Sequence, residues 1–288
     1  MTAYRCGIWA LTDNPYKLPE GNVLISFSGG RTSGYMLYKI LEANGDLPER
    51  VKVTFANTGR EMPETLDFVH ECERRWGVDI VWLEYARENN KPIFEVVNHN
   101  SASRNGEPFE VLISELRGGQ GLPNTHWRFC TQELKVNTIH RYLNKNLGWD
   151  LWSAAIGIRA DEAHRTKTKK RGRQLHWYPL NDACVNKAII REFWQKQPFD
   201  LQLQNINGTT PLGNCDMCFL KSESTLAHIA KTMPERADWW IRMEKKTGRR
   251  FRNERELSKF VDFVQRQQDW VFDEQGFFCQ ADDGECTG

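Results

Sequence analysis

No apolar run in this 288-residue chain approaches the roughly 20 residues needed to cross a bilayer, so no membrane partner is expected. The first 19 residues are polar and aromatic without an apolar centre, so no secretory leader is expected and the reading is cytoplasmic. Charge of one sign is lacking too. Lys and Arg number 39 against 38 Asp and Glu, a net charge of +1, which excludes wholesale coating of nucleic acid and leaves only local basic patches. Neither common phosphate signature occurs: the Walker spacing of Gly, four residues and Gly-Lys-Ser/Thr is absent, and so is Gly-x-Gly-x-x-Gly. There is no internal repeat and no low-complexity segment.

What is present begins at Val23-Leu24-Ile25-Ser26-Phe27-Ser28-Gly29-Gly30-Arg31-Thr32-Ser33-Gly34. Strand-favouring residues run into Ser-Gly-Gly, and a helical apolar pattern (Tyr35, Met36, Leu37, Ile40, Leu41) follows at once. Glycines at such a turn let the backbone approach a ligand, and the helix start offers N–H groups to an anion. Ser26, Ser28, Thr32 and Ser33 add hydroxyls, and Arg31 adds a fork suited to phosphate or sulfate. A second motif, Asn57-Thr58-Gly59-Arg60-Glu61-Met62-Pro63-Glu64-Thr65, follows the next strand pattern. Pro63 suits the first turn of a helix and Glu64 its positive end. A third, Gly157-Ile158-Arg159-Ala160-Asp161-Glu162-Ala163-His164-Arg165, again follows a strand, with Arg159 and Arg165 placed to clamp an anion. Lys167, Lys169, Lys170, Arg171 and Arg173 continue the charge and read as a solvated surface.

Strand patterns at 23–27, 51–56, 78–85 and 151–158 alternate with helical patterns at 34–44 and 64–76 and a longer helical region over 92–147, interrupted by loops near 98–107 and 118–124. This alternation predicts an α/β fold with a doubly wound parallel sheet, whose ligands sit at the carboxyl ends of the strands. Residues 1–20 read as an N-terminal arm and 21–208 as the nucleotide-binding domain. Residues 209–288 read as a Cys-x-x-Cys segment, a helical extension and an acidic tail.

Eight cysteines in a cytoplasmic chain of this size point to metal or redox chemistry for some and burial for the rest. Cys215-Asp216-Met217-Cys218 is open to zinc, an iron–sulfur cluster or dithiol chemistry. Cys130, in Arg128-Phe129-Cys130-Thr131-Gln132-Glu133-Leu134-Lys135, is the candidate third ligand, and Cys184, Cys279 or Cys286 could supply a fourth, with Cys279 the one selected. Cys72 reads as packing, and Cys6 has no assigned role.

Ser28-Gly29-Gly30-Arg31-Thr32-Ser33, Asn57-Thr58-Gly59 with Pro63-Glu64-Thr65, and Gly157-Ile158-Arg159 with Arg165 resemble successive motifs of the phosphoadenosine-phosphosulfate (PAPS) reductase family. That family belongs to the adenine-nucleotide α-hydrolase-like, PP-loop pyrophosphatase fold. Arg31 and Thr32 stand where typical PP-loop enzymes have Lys and Asp, and Phe129 stands where the iron–sulfur reductases have the first cysteine of a pair. The resemblance implies ATP or PAPS as ligand, with Mg²⁺ as a candidate companion, and a 4Fe–4S cluster on Cys130, Cys215 and Cys218. It implies phosphosulfate reduction, with Cys286 in Glu285-Cys286 as the candidate nucleophile and a thioredoxin-like reductant as partner. The Arg128-to-Lys135 segment equally resembles the sulfur-inserting enzymes of DNA phosphorothioation. That likeness implies ATP-dependent sulfur transfer, a sulfur donor such as a cysteine desulfurase, and nucleic acid met by Arg236, Arg242, Lys245, Lys246, Arg249, Arg250 and Arg252. A nucleotide-binding module with structural zinc is the non-catalytic alternative.

Overall fold

In the computed structural model, residues 14–119, 121–166, 170–206, 210–252 and 255–267 are described. β1 (Val23–Ser26) leads through the glycine turn into α1 (Arg31–Asn44), β2 (Val51–Asn57) into α2 (Pro63–Trp76), and β3 (Ile80–Glu88) pairs with β4 (Lys91–Val97). Next come α3 (Glu107–Glu115), a π-helix over Thr131–Asn137 continued by α4 (Thr138–Lys145), and β5 (Trp152–Ala155). A 3-10 turn (Ala160–Arg165), the β6–β7 hairpin (Lys170–Arg171, Gln174–Trp177), and helices α5 (Pro179–Asp182) and α6 (Lys187–Gln195) follow. The chain ends in α7 (Glu223–Thr232), α8 (Glu235–Thr247) and α9 (Leu257–Arg266).

The sheet order is β4-β3-β2-β1-β5-β7-β6. β3, β2, β1, β5 and β7 run parallel, and the edge strands β4 and β6 run antiparallel to their neighbours. The central parallel strands β1, β2 and β5 are largely buried and covered on both faces, as the α/β expectation requires: Val23, Ile25 and Val53 pack beneath α1 and α2, Leu24, Ala154 and Ile156 beneath α4, whereas β7 is half-buried. The order reverses at β1, between β2 and β5, so the β1–α1 turn lies at a topological switch point.

One segment differs from the sequence expectation. Residues 91–97, read as the start of a long helical region, form β4, paired from Trp82↔Val97 to Glu88↔Lys91. Ile93, Phe94, Val96 and Val97 favour a strand, and Pro92 is tolerated because β4 is an edge. Among the described residues no helix is long and apolar enough to cross a membrane.

The helical extension shares a core with the sheet domain: Phe109 of α3 and Leu134 of the π-helix pack with Met217, Phe219, Trp239 and Trp240. On the other face, α1 packs on α6 at Gly34, where a Cβ would stand 2.8 Å from Trp194 Cζ2 and 3.2 Å from Phe68 Cζ. Gly34→Ala is therefore expected to destabilise. Overpacking costs about 1–3 kcal/mol and outweighs a helix-propensity gain of roughly 1 kcal/mol. A lowered urea midpoint with an unchanged slope checks it.

Candidate nucleotide and cysteine site

Gly29 makes the β1–α1 turn with φ +82°, and a Cβ there would fall 2.8 Å from Thr65 Cγ2. Ser28 and Ser33 close the turn, with their Oγ atoms 3.0 Å apart. Gly30 caps α1 without a side chain, and the first turn carries no acid, so the helix start suits an anion. A cavity of about 10 Å³ lies against residues 28–30, walled on the far side by Glu61, Thr65, Lys135, Thr210, Gly213 and Asn214. The Thr65 hydroxyl is buried and unpartnered. Beside it a cavity of about 60 Å³ is lined by Ser26, Phe27, Ser28, Ala56, Lys135, Val136, Ile139, His140 and Ile156. This second cavity has apolar walls suited to a nucleoside. Through Val136, His140 and Gln174 it continues into an open cleft of about 320 Å³ that includes Gln132, Asn144, Arg173 and His176.

The second motif builds the adjoining wall. Asn57 is fully buried and donates from Nδ2 to Glu84 Oε1 (2.6 Å) and Ser103 O (2.8 Å), while its Oδ1 accepts from Gly59 N. Burial pushes the Glu84 carboxyl up, against the bonds from Ser103 and Asn57. The Thr58 N–H and hydroxyl both donate to Glu61 Oε2. Glu61 Oε1 makes no hydrogen bond and lies 3.4 Å from Lys135 Nζ. Glu64 sits in the first turn of α2, as expected, with Oε2 buried and without a hydrogen bond.

The cysteines converge. Cys130, Cys215 and Cys218 line one cavity of about 20 Å³ with Thr58, Arg128, Lys135, Phe109, Phe219 and Trp240. The Cys215 turn docks through a bridge to Glu61 and the Asp216 N–H bond to Arg60 O at 2.9 Å. Asp216, fully buried, pairs with Arg60 and accepts from Trp240 Nε1 at 2.7 Å. Burial, with Glu61 alongside, pushes the Cys215 thiol well above its ordinary range, and Lys135 pulls the other way. As the side chains stand, no group of three or more His, Cys, Asp or Glu among the described residues is placed to hold a metal ion. Cys72 is buried in the core, as expected. Cys6, Cys279 and Cys286 lie outside the described residues.

Without a ligand, the arginines that the sequence suggests for anion binding pair with carboxylates of the chain. Arg31 turns from the loop's open side to Asp200, 2.8 Å away. Arg159 pairs with Asp161 (3.0 Å) and Glu162 (3.2 Å) and reaches Thr32 Oγ1 at 3.3 Å; Arg165 pairs with the same Glu162. The chain itself supplies the anions that local sequence cannot show. Gly157 lies between β5 and that cluster. On the basic C-terminal face, Lys246 and Arg242 pair with Glu110 (2.9 and 3.7 Å) and Arg250 with Glu256 (3.1 Å). Lys135, Glu61, Thr65 and His140 also line these cavities; the first three stand in the motifs read from the sequence without an assigned role, and the sequence does not single out His140. Lys135 closes the quoted cysteine segment, and its place is set by a π-helix, a distortion that favours functional sites.

A mixed α/β sheet with a glycine turn at its switch point and a neighbouring cysteine cavity defines a protein of the α/β class with a candidate ligand site at the strand ends. The match is more particular than that. Residues 22–180 fit the phosphoadenosine phosphosulfate reductase domain model, and the chain belongs to that family. It is 32% identical over 214 residues to the uncharacterized nin region protein ORF290 of Escherichia phage lambda, covering 72% of this chain and 69% of that one. It is 29% identical over 234 residues to the uncharacterized protein MJ0066 of Methanocaldococcus jannaschii, covering 79% of this chain but 42% of that longer protein.

Proposed function

We propose that this chain is an adenine-nucleotide-dependent enzyme of sulfur chemistry with an iron–sulfur cluster on Cys130, Cys215 and Cys218. One observation carries the reading: Lys135 lines the phosphate cavity, the nucleoside cavity and the cysteine cavity alike. Polyphosphate and thiols would meet across one ammonium.

The chemistry of the donor set supports a cluster. Three thiols share a cavity with apolar walls and the cations Arg128 and Lys135, which suit the net negative charge of cysteine-bound iron and sulfide. About 20 Å³ holds roughly one water-sized group, so the thiols must swing outward to take it. When bound, a cluster of this kind supplies electrons or a site for sulfur. The protein's own part is to seat the phosphates on residues 28–30 and Lys135, to wall the nucleoside with Phe27, Ile139 and Ile156, and to exclude water with Phe109, Phe219 and Trp240.

Of the two reactions, transfer of sulfur to an ATP-activated acceptor accords better with the charges. PAPS carries a phosphosulfate and a separate phosphate, two anionic ends that each want a cation, yet Arg31 and Arg159 are neutralised within the chain. ATP gathers its charge at one end, beside Lys135, whose pairing with Glu61 at 3.4 Å is without a hydrogen bond and looser than those of Arg31 and Arg159. The family match favours the second reading, phosphosulfate reduction, in which Cys286 attacks sulfur and a thioredoxin-like dithiol releases sulfite. Anaerobically purified protein is expected to be brown, with broad absorption in the visible blue, and to form AMP and pyrophosphate from ATP once acceptor and sulfide are supplied. Sulfite from PAPS without ATP consumption would reverse the order of the two reactions. Colourless protein with stoichiometric zinc would remove the cluster.

A further inference from the structure

Arg31 heads α1 directly behind the phosphate loop, yet its guanidinium serves a distant segment. Nε donates to Asp200 Oδ1 and Oδ2 at 2.8 and 3.0 Å, and Nη2 to Asp200 Oδ2 at 3.0 Å. Nη2 also reaches the carbonyls of Leu201 and Leu203, and Nη1 donates to Thr210 Oγ1 at 2.8 Å. Arg31 is 7% exposed and Asp200 34%, so the pair is half-buried and its bonds are charge-assisted. A lysine could not reproduce them, because it lacks the planar fork.

Thr210 is also a wall of the phosphate cavity, with Gly213 and Asn214, and the chain passes from Asn214 straight into Cys215. Lys221 Nζ braces this stretch by donating to the carbonyls of Pro211 and Gly213, and its N–H bonds to Cys218 O. The wall and the cysteine turn are thus one braced piece, latched to the phosphate loop by Arg31. A free volume of about 10 Å³ admits roughly one water-sized group. A phosphate has five heavy atoms, so seating it fully within these walls requires them to part.

We infer that Arg31 is a positioning residue that couples the nucleotide to the cysteines: phosphate entering the loop works against the Arg31 latch and displaces the wall that carries Cys215, exposing its thiol. This rests on the nucleotide reading of the loop. It assigns Arg31 no contact with phosphate, which separates it from the role suggested by the sequence.

The test uses full-length, metal-free, reduced protein, a short iodoacetamide pulse and mass spectrometry of each cysteine, with and without a non-hydrolysable ATP analogue. In the wild type, saturating analogue is expected to raise Cys215 labelling about fivefold, the scale of breaking one or two net hydrogen bonds. In Asp200→Asn and Asp200→Ala, which lie outside the phosphate cavity, Cys215 is expected to label at the higher rate without analogue, and analogue adds nothing. Both variants should bind the analogue as tightly as the wild type or more tightly, since the latch no longer opposes entry. Cys72, fully buried in α2, reports folding and should stay unlabelled throughout. A variant that labels Cys72 is unfolded and is set aside for the other, and the wild-type arm decides even without either. Analogue that binds by calorimetry yet leaves wild-type Cys215 unchanged overturns the inference alone, as do variants that respond like the wild type. Analogue that does not bind overturns the nucleotide reading and the inference with it.

Discussion

Asp216→Ala is expected to destabilise the protein by about 3–5 kcal/mol, the cost of removing one partner from a buried ion pair. Asp216 is fully buried, pairs with Arg60, and accepts from Trp240 Nε1 at 2.7 Å and from its neighbour Met217 N at 2.9 Å. Alanine leaves Arg60, 5% exposed, with a charge that no nearby carboxylate meets. What remains to it is the Arg236 carbonyl at 3.2 Å and the face of Trp239 at 5.3 Å. The indole N–H of Trp240 also loses its acceptor, adding roughly 1–3 kcal/mol if no water replaces it. Asp216 lies between Cys215 and Cys218, so, on the cluster proposed above, the same change should abolish iron loading. Asp216→Asn keeps an acceptor for Trp240 and should cost visibly less. Chemical denaturation of both variants checks the order; equal midpoints would show that the charge of Asp216 carries no weight.

The legible parts of this molecule are those whose causes are local. A strand meeting Ser-Gly-Gly at a helix start is visible because Gly29 needs a positive φ and no Cβ, requirements met within a few residues. The alternation that places β1, β2, β3 and β5 is equally local, and the observed strands fall at those positions. β4 was not legible. Its apolar residues suit a strand or a buried helix, and only the antiparallel partner β3 decides. β7 has the same weakness: its four residues become a strand by pairing with β5. Charge was least legible of all. The sequence sets Arg31 beside the loop but gives no sign of Asp200, 169 positions away in the chain, to which its fork donates. The meeting of Cys130 with Cys215 and Cys218 was expected from chemistry, whereas the lysine beside them depends on the phase of a π-helix that no residue pattern announces.

That lysine sets the largest expected functional effect. Lys135→Met should weaken ATP binding about 10- to 100-fold, corresponding to the roughly 1.5–3 kcal/mol of a hydrogen bond to a charged group. The change also strands Glu61, whose side chain is 1% exposed and whose Oε1 has Lys135 Nζ at 3.4 Å and no hydrogen bond. Lost binding could therefore follow from a disturbed wall rather than from a missing phosphate contact. The double variant Lys135→Met, Glu61→Gln separates the two causes. Removing both charges relieves the buried carboxylate, so the thermal midpoint should recover toward the wild type, and the amide can still accept from Thr58 N and Oγ1. If Lys135 meets the phosphates, nucleotide binding stays weak in the double variant and returns in part with Lys135→Arg, which keeps the charge on a longer fork. If Lys135 acts only by neutralising Glu61, binding returns with stability in the double variant. Calorimetric titration with ATP and with adenosine completes the test, since a phosphate contact changes the affinity for the first and leaves that for the second unaltered.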